Sequence, residues 1–177
     1  MKDLPAIDIG GIRDVYARFE ASLPFNRTLV TVLLKKIDEA EKECGDQGFV
    51  TLAALRTQLP TPSWKPLESP DSMLGKVLLS DSFKDAKQNQ SPDQIDVTFL
   101  KCFALIHCSG KPIDKTNAFY EVLQEGGFER HTQISAGDKD FAPVFDKMCS
   151  FVTKDVFDLA KMTGSVENHV YTEDEMS

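Results

Sequence analysis

An all-α fold is what this chain predicts, and three observations lead there. Apolar residues recur at helical spacing in nearly every segment. Capping residues and prolines precede many of these runs, while glycine or proline closes several of them. Apolar residues make up 41% of the 177, with 12 Phe among them, enough to fill a core between packed helices.

The elements follow in order. Ile12, Val15, Tyr16 and Phe19 fall at i, i+3, i+4, i+7 and predict a short amphipathic helix ended by Pro24. Asn26 is placed to cap a second helix, with Phe25 packing on Val30 as a hydrophobic staple. Leu29, Val30, Leu33, Leu34 and Ile37 mark its expected buried face, and it ends near Gly45. Phe49 and Val50 then lead through Thr51, an expected N-cap, into a helix around Leu52, Leu55 and Leu59. Residues 60–71 hold Pro60, Pro62, Pro66 and Pro70 around the sole Trp, and read as an ordered linker anchored by Trp64 and Leu67.

Met73, Leu74, Val77 and Leu78 predict a short helix, followed by a polar stretch from Lys84 to Ser91. Ser91, Pro92 and Gln94 read as N-cap, first helical residue and capping-box partner of a helix carrying Ile95, Phe99, Cys102, Phe103 and Ile106. That helix stops at Ser109-Gly110. Pro112 opens another, with Phe119, Tyr120 and Leu123, halted by Gly126-Gly127. The last apolar run is Phe141, Val144, Phe145, Met148, Val152, Val156 and Leu159. Pro143 requires that helix to begin near Ala142 or to kink there, because proline lacks the N–H and clashes with the preceding turn.

Charge and cysteine usage exclude several classes. Net charge is −8 and no run of Lys or Arg is denser than Lys35-Lys36, so neither nucleic acid nor an anionic membrane is an expected partner. The first residues lack the basic and apolar blocks of a secretory signal, and no apolar run approaches a membrane span. Cys44, Cys102, Cys108 and Cys149 are scattered with no C-x-x-C, which reads as free thiols in a reducing, cytoplasmic setting.

One order repeats: helix, roughly ten polar residues, a single apolar residue flanked by small ones, helix. It occurs at 27–59 and 73–108, and less cleanly from 112 onward. This unit resembles the EF-hand, in which a loop of about twelve residues joins two helices, Gly makes the sharp turn at the sixth position, and an apolar eighth residue pairs with its partner loop. Residues Glu43 to Leu52 fit that frame, with Gly48 at the turn, Val50 at the pairing position and Thr51 as cap. Ile95-Asp96-Val97-Thr98-Phe99 resembles the end of a second loop, Gln133-Ile134-Ser135 a third, and Tyr171 to Met176 a fourth without its exit helix. The resemblance implies tandem helix–loop–helix units with very short β pairing between loops, Val50 beside Ile95. It divides the chain into an N-terminal segment, 1–24, a first pair, 25–108, a second helical lobe, 109–163, and an acidic tail or truncated fourth unit, 164–177.

The departures from the family bear on function. Calcium takes six to eight oxygens, largely from carboxylates at alternate loop positions and a closing bidentate Glu. Those positions fall here on Glu43, Gly45, Gln47 and Ala54; on Gln88, Gln90, Pro92 and Phe99; and on Gly127, Glu129, His131 and Asp138. None makes a high-affinity site, so no metal and no cofactor are expected.

Other constellations have bland alternatives that outweigh them. His107-Cys108 suggests an activated thiol, but neighbours on a helix point about 100° apart, and a packed Cys beside a C-terminal His explains the pair better. His107, His131, His169 and the four Cys show no ligand-spaced pair for zinc. Gly10-Gly11 lacks the third glycine of a dinucleotide loop. Asp38, Glu39, Glu41 and Glu43 read as a solvated helix face balanced by Lys35, Lys36 and Lys42. The stripe Ile12, Val15, Tyr16, Phe19 reads as one more core helix, or as an internal ligand in an apolar groove.

The expected function is therefore non-catalytic and calcium-independent: an adaptor or regulatory module that presents an apolar groove to a helical or apolar segment of a partner protein. Two alternatives stand beside it, a low-affinity calcium or magnesium sensor and a small helical enzyme built on scattered residues such as Cys108 and His131.

Overall fold

The computed structural model describes residues 17–84, 91–125 and 141–155, with residue 158. It is mostly helical, with one two-stranded sheet among the described residues. Residues 17–22 form helix α1, and Phe19 and Leu23 bury themselves at its end. Ile12, Val15 and Tyr16 of that predicted stripe lie outside the described residues.

A 3-10 turn at Phe25–Arg27 leads into α2, Val30–Glu43. Asn26 does not cap α2, contrary to its local sequence signal. Leu29 is the N-cap and offers no side-chain bond. The Val30 N–H is instead taken by the Ser109 carbonyl at 2.8 Å, while Ser109 N–H and Oγ donate to the Thr28 carbonyl at 3.0 and 2.9 Å. A long-range bridge, Leu29 beside Ser109 in parallel, thus does the work expected of a local cap. The staple partners Phe25 and Val30 are both buried.

Strand β1, Phe49–Thr51, runs into α3, Leu52–Gln58, and Thr51 caps that helix by accepting from the Ala54 N–H at 3.2 Å. The proline-rich linker is a 3-10 run, Pro62–Glu68, pinned by buried Trp64 and Leu67. Its tail presses on α4, Met73–Leu78, at Gly75, where a Cβ would come within 2.8 Å of the Pro70 carbonyl oxygen and still closer to that of Ser69. Ser72 caps α4 through the Gly75 N–H at 2.9 Å.

Strand β2, Gln94–Asp96, pairs antiparallel with β1, placing Phe49 opposite Asp96, Val50 opposite Ile95 and Thr51 opposite Gln94. The expected capping box at Ser91 therefore opens no helix. Gln94 Oε1 still accepts from the Ser91 N–H at 2.7 Å, but the following residues are drawn into the sheet. The cap passes to Asp96, whose Oδ1 accepts from the Phe99 N–H at 2.9 Å and opens α5, Val97–His107. The short strands that precede α3 and α5 thus pair with each other.

Helix α6, Pro112–Glu125, packs on α2 and α5. Helix α7, Phe141–Ser150, continues into a π-helical turn, Phe151–Asp155, and packs on α5. Pro143 falls in its first turn, so no kink is needed. Of the apolar run predicted there, Val144 and Phe151 are buried while Phe145 and Val152 are exposed, because only one of the two heptad-spaced stripes faces α5. Phe103 of α5 is the hub of the core. Its ring lies 5.0–5.2 Å from Phe25, Phe83 and Phe151, edge-on to each.

Candidate functional site

The loop between α2 and β1 makes three demands on the backbone: Gly45, Asp46 and Gly48 all have positive φ, at 90°, 52° and 77°. Glycine adopts such angles without the Cβ clash that other residues suffer, and Asp is among the more tolerant of the rest. The turn is closed from within. Glu41 Oε1 accepts from the Gly48 N–H at 3.0 Å, and the Asp46 N–H donates to the Glu41 carbonyl at 3.1 Å. The Gly48 carbonyl in turn accepts from the Val97 N–H at 3.1 Å, stitching this loop to the start of α5.

The positions that would hold a cation are otherwise occupied. Glu43 turns away to the Gln58 side-chain amide. Ala54 is buried in the core, and Phe99 packs against it beneath the Lys147 ammonium, 4.7 Å from the ring centre. The Pro92 carbonyl accepts from Lys84 Nζ at 3.0 Å. Gln88, Gln90, Gly127, Glu129, His131 and Asp138 lie outside the described residues. Among the described residues no group of three or more His, Cys, Asp or Glu converges as a metal site.

Beside the loop lies an open basin of about 490 Å³. On it, Lys101 of α5, only 3% exposed, reaches Asp38 of α2 at 2.6 Å. This pair ties α2 to α5. Sequence reasoning placed Asp38 on a solvated face and missed it. Lys101 sits in an apolar run, Phe99 to Ile106, and that interruption was the one local signal.

The titratable groups singled out by sequence separate clearly. Burial pushes the thiols of Cys102 and Cys108 up to about 12, the opposite of what a thiolate nucleophile requires. Cys44 and Cys149 are half-buried, and all four are free thiols. His107 is buried near the end of α5, and its Nδ1 lies 3.0 Å from Glu20 Oε1 on α1. Burial holds its pKa below the ordinary value, against the opposing pull of the Glu20 carboxylate. No sequence signal joined His107 to Glu20, because the contact spans two helices far apart in the chain. His131 and His169 lie outside the described residues.

A second concavity of about 450 Å³ opens between the start of α2, the end of α3 and the linker. Leu29 and Val32, 55% and 48% exposed, form one wall, and Leu59, Pro60 and Trp64 lie across from them. Leu29 had been expected on the buried face of α2. The early start of the chain's bridge to Ser109 turns its side chain outward, one helical turn from Val32. Arg27, Thr28, Lys36, Gln58, Thr61 and Ser63 complete the lining.

Among the described residues no helix is long and apolar enough to cross a membrane. No protein family, curated protein or solved structure matches this chain.

Proposed function

We propose that this chain is a non-catalytic protein-interaction module of EF-hand-like fold that works without calcium, its groove taking a helical or apolar segment of a partner. The observation that carries recognition is the exposed Leu29–Val32 wall facing Trp64 across a preformed concavity. Large apolar side chains left in water beside such a concavity are the usual mark of a binding surface.

Three features support the EF-hand-like part of the reading. Val50 and Ile95 pair at equivalent positions of the two units, Gly48 supplies the left-handed turn ahead of Val50, and Thr51 and Asp96 each cap the exit helix one residue later. Calcium independence is supported by the closing positions Ala54 and Phe99 and by Glu41, which already spends its carboxylate on the Gly48 N–H. In this proposal 25–108 is the first lobe and 109–163 the second, with α6 and α7 packed on α2 and α5.

Capture of partners from the native cell, with and without a calcium chelator, tests the reading. The same partners should be retained in both conditions and lost with the double variant Leu29→Ser/Val32→Ser. Capture that requires calcium would favour a sensor instead.

A further inference from the structure

From the charge around the groove we infer that its occupant is a short acidic–apolar segment of another protein: one or two large apolar side chains flanked by carboxylates. This rests on the protein-interaction reading and names the chemistry of the partner.

Both charged residues lining the groove are cations, Arg27 and Lys36, on a chain whose net charge is −8. Local cationic character against that background is a directional signal, since complementary charge steers encounter and selects partners. Neither cation is deeply committed within the chain. Arg27 reaches only the Ala21 carbonyl, at 3.5 Å and in solvent. Lys36 pairs with Glu39 one turn along α2 at 2.5 Å, both side chains about one-third exposed, an i,i+3 surface contact of the weak kind. A partner's carboxylate can displace it at small cost.

Among the described residues no aspartate or glutamate lines the groove itself, and Glu39 and Glu43 approach it only as partners of Lys36 and the Gln58 amide. A basic segment would meet repulsion from Arg27 and Lys36, whereas an acidic one pairs with them while its apolar side chains cover Leu29 and Val32. The volume, near the lower end of the ~300–1,000 Å³ typical of ligand pockets, suits a pair of side chains rather than a whole helix face.

The test uses the full chain and fluorescein-labelled hexapeptides read by anisotropy. The first carries two leucines flanked by glutamates, the second has lysines for the glutamates, and the third has alanines for the leucines. The acidic leucine peptide should bind at least about tenfold more tightly than either of the others. Arg27→Glu/Lys36→Glu should reverse the preference between the acidic and basic peptides, and Leu29→Ser/Val32→Ser should abolish binding; circular dichroism checks that each variant stays folded. Equal binding of acidic and basic peptides, or binding indifferent to both double variants, overturns the inference. Tighter peptide binding by a chain ending at residue 163 would assign the groove to the acidic tail, and a dimer broken by Val32→Asp would assign it to a second copy; either overturns the separate partner. If the peptides fail while cellular partners are still lost with Leu29→Ser/Val32→Ser, this inference falls and the protein-interaction reading stands.

Discussion

Trp64 shows how one side chain serves both stability and surface. Its ring is 3% exposed and meets Phe25 edge-on at 5.1 Å, while one edge helps line the groove. Trp64→Ala should cost about 3–5 kcal/mol in denaturant unfolding, the usual range for a truncated buried aromatic. Intrinsic fluorescence of the native protein should be blue-shifted and resist iodide; a water-like emission would contradict the burial. His107 gives a pH signature at the same scale. Its folded pKa is held below the unfolded value near 6.5, so only the unfolded chain takes up the proton as pH drops through that value. The His107 contribution is therefore fully present above pH 6.5 and declines below it, down to the folded pKa. Because the Glu20 carboxylate opposes the depression, Glu20→Gln should lower the His107 midpoint in an NMR titration and steepen the acid loss of stability. An upward move of that midpoint would refute the assignment.

Among the elements, the paired loops and the helix starts make separable predictions. Val50 and Ile95 are both fully buried opposite each other, so Ile95→Ala should cost about 2–5 kcal/mol. A double-mutant cycle with Val50→Ala should show coupling of about 0.5–3 kcal/mol, as expected for residues in contact. Helix capping discriminates sharply between local and tertiary control. Thr51→Ala and Asp96→Ala each remove a side-chain acceptor seen at a helix start, and each should cost about 0.5–2 kcal/mol. Asn26→Ala, at the residue with the best local cap signal, should stay within about 0.5 kcal/mol, since α2 begins at Val30 and its first N–H goes to Ser109. Urea titrations of the three variants decide this, and a large loss in Asn26→Ala would restore the local cap.

At the scale of the molecule, the buried residues among those described form one continuous cluster running from Phe19 through Phe103 to Val144 and Phe151. Helices α6 and α7 thus share the core of α2 and α5, and local damage at Phe103 should be felt across it. Within this framework added calcium should leave thermal unfolding and far-UV circular dichroism unchanged. The loop is already closed by Glu41 and stitched to α5 by the Gly48 carbonyl, so little remains for a cation to organise. Calorimetric binding tighter than about 10⁻⁵ M, the weak edge of sensor sites, would overturn calcium independence.

What the sequence by itself determined is the set of things written in local chemistry. Helical periodicity marked the faces carrying Leu33, Ile37 and Phe103; Thr51 announced a cap; Trp64 and Leu67 announced an anchored linker; and the resemblance of the two loops to EF-hand loops implied Val50 against Ile95. Each depends on residues within a turn or two, or on a repeat whose two copies can be compared. The tertiary structure alone decided the rest. Periodicity ranks residues by hydrophobicity but cannot say which apolar stripe meets a neighbour, so Leu29, Phe145 and Val152 ended in solvent. Asn26 and Ser91 had sound capping chemistry, yet backbone partners at Ser109 and in β1 claimed the neighbouring N–H and C=O groups first. The groove between α2, α3 and the linker, the Lys101–Asp38 pair and the Glu20–His107 contact bring together positions distant in sequence. Their energies arise from desolvation and from partners supplied by packing, and neither quantity exists until the helices have met.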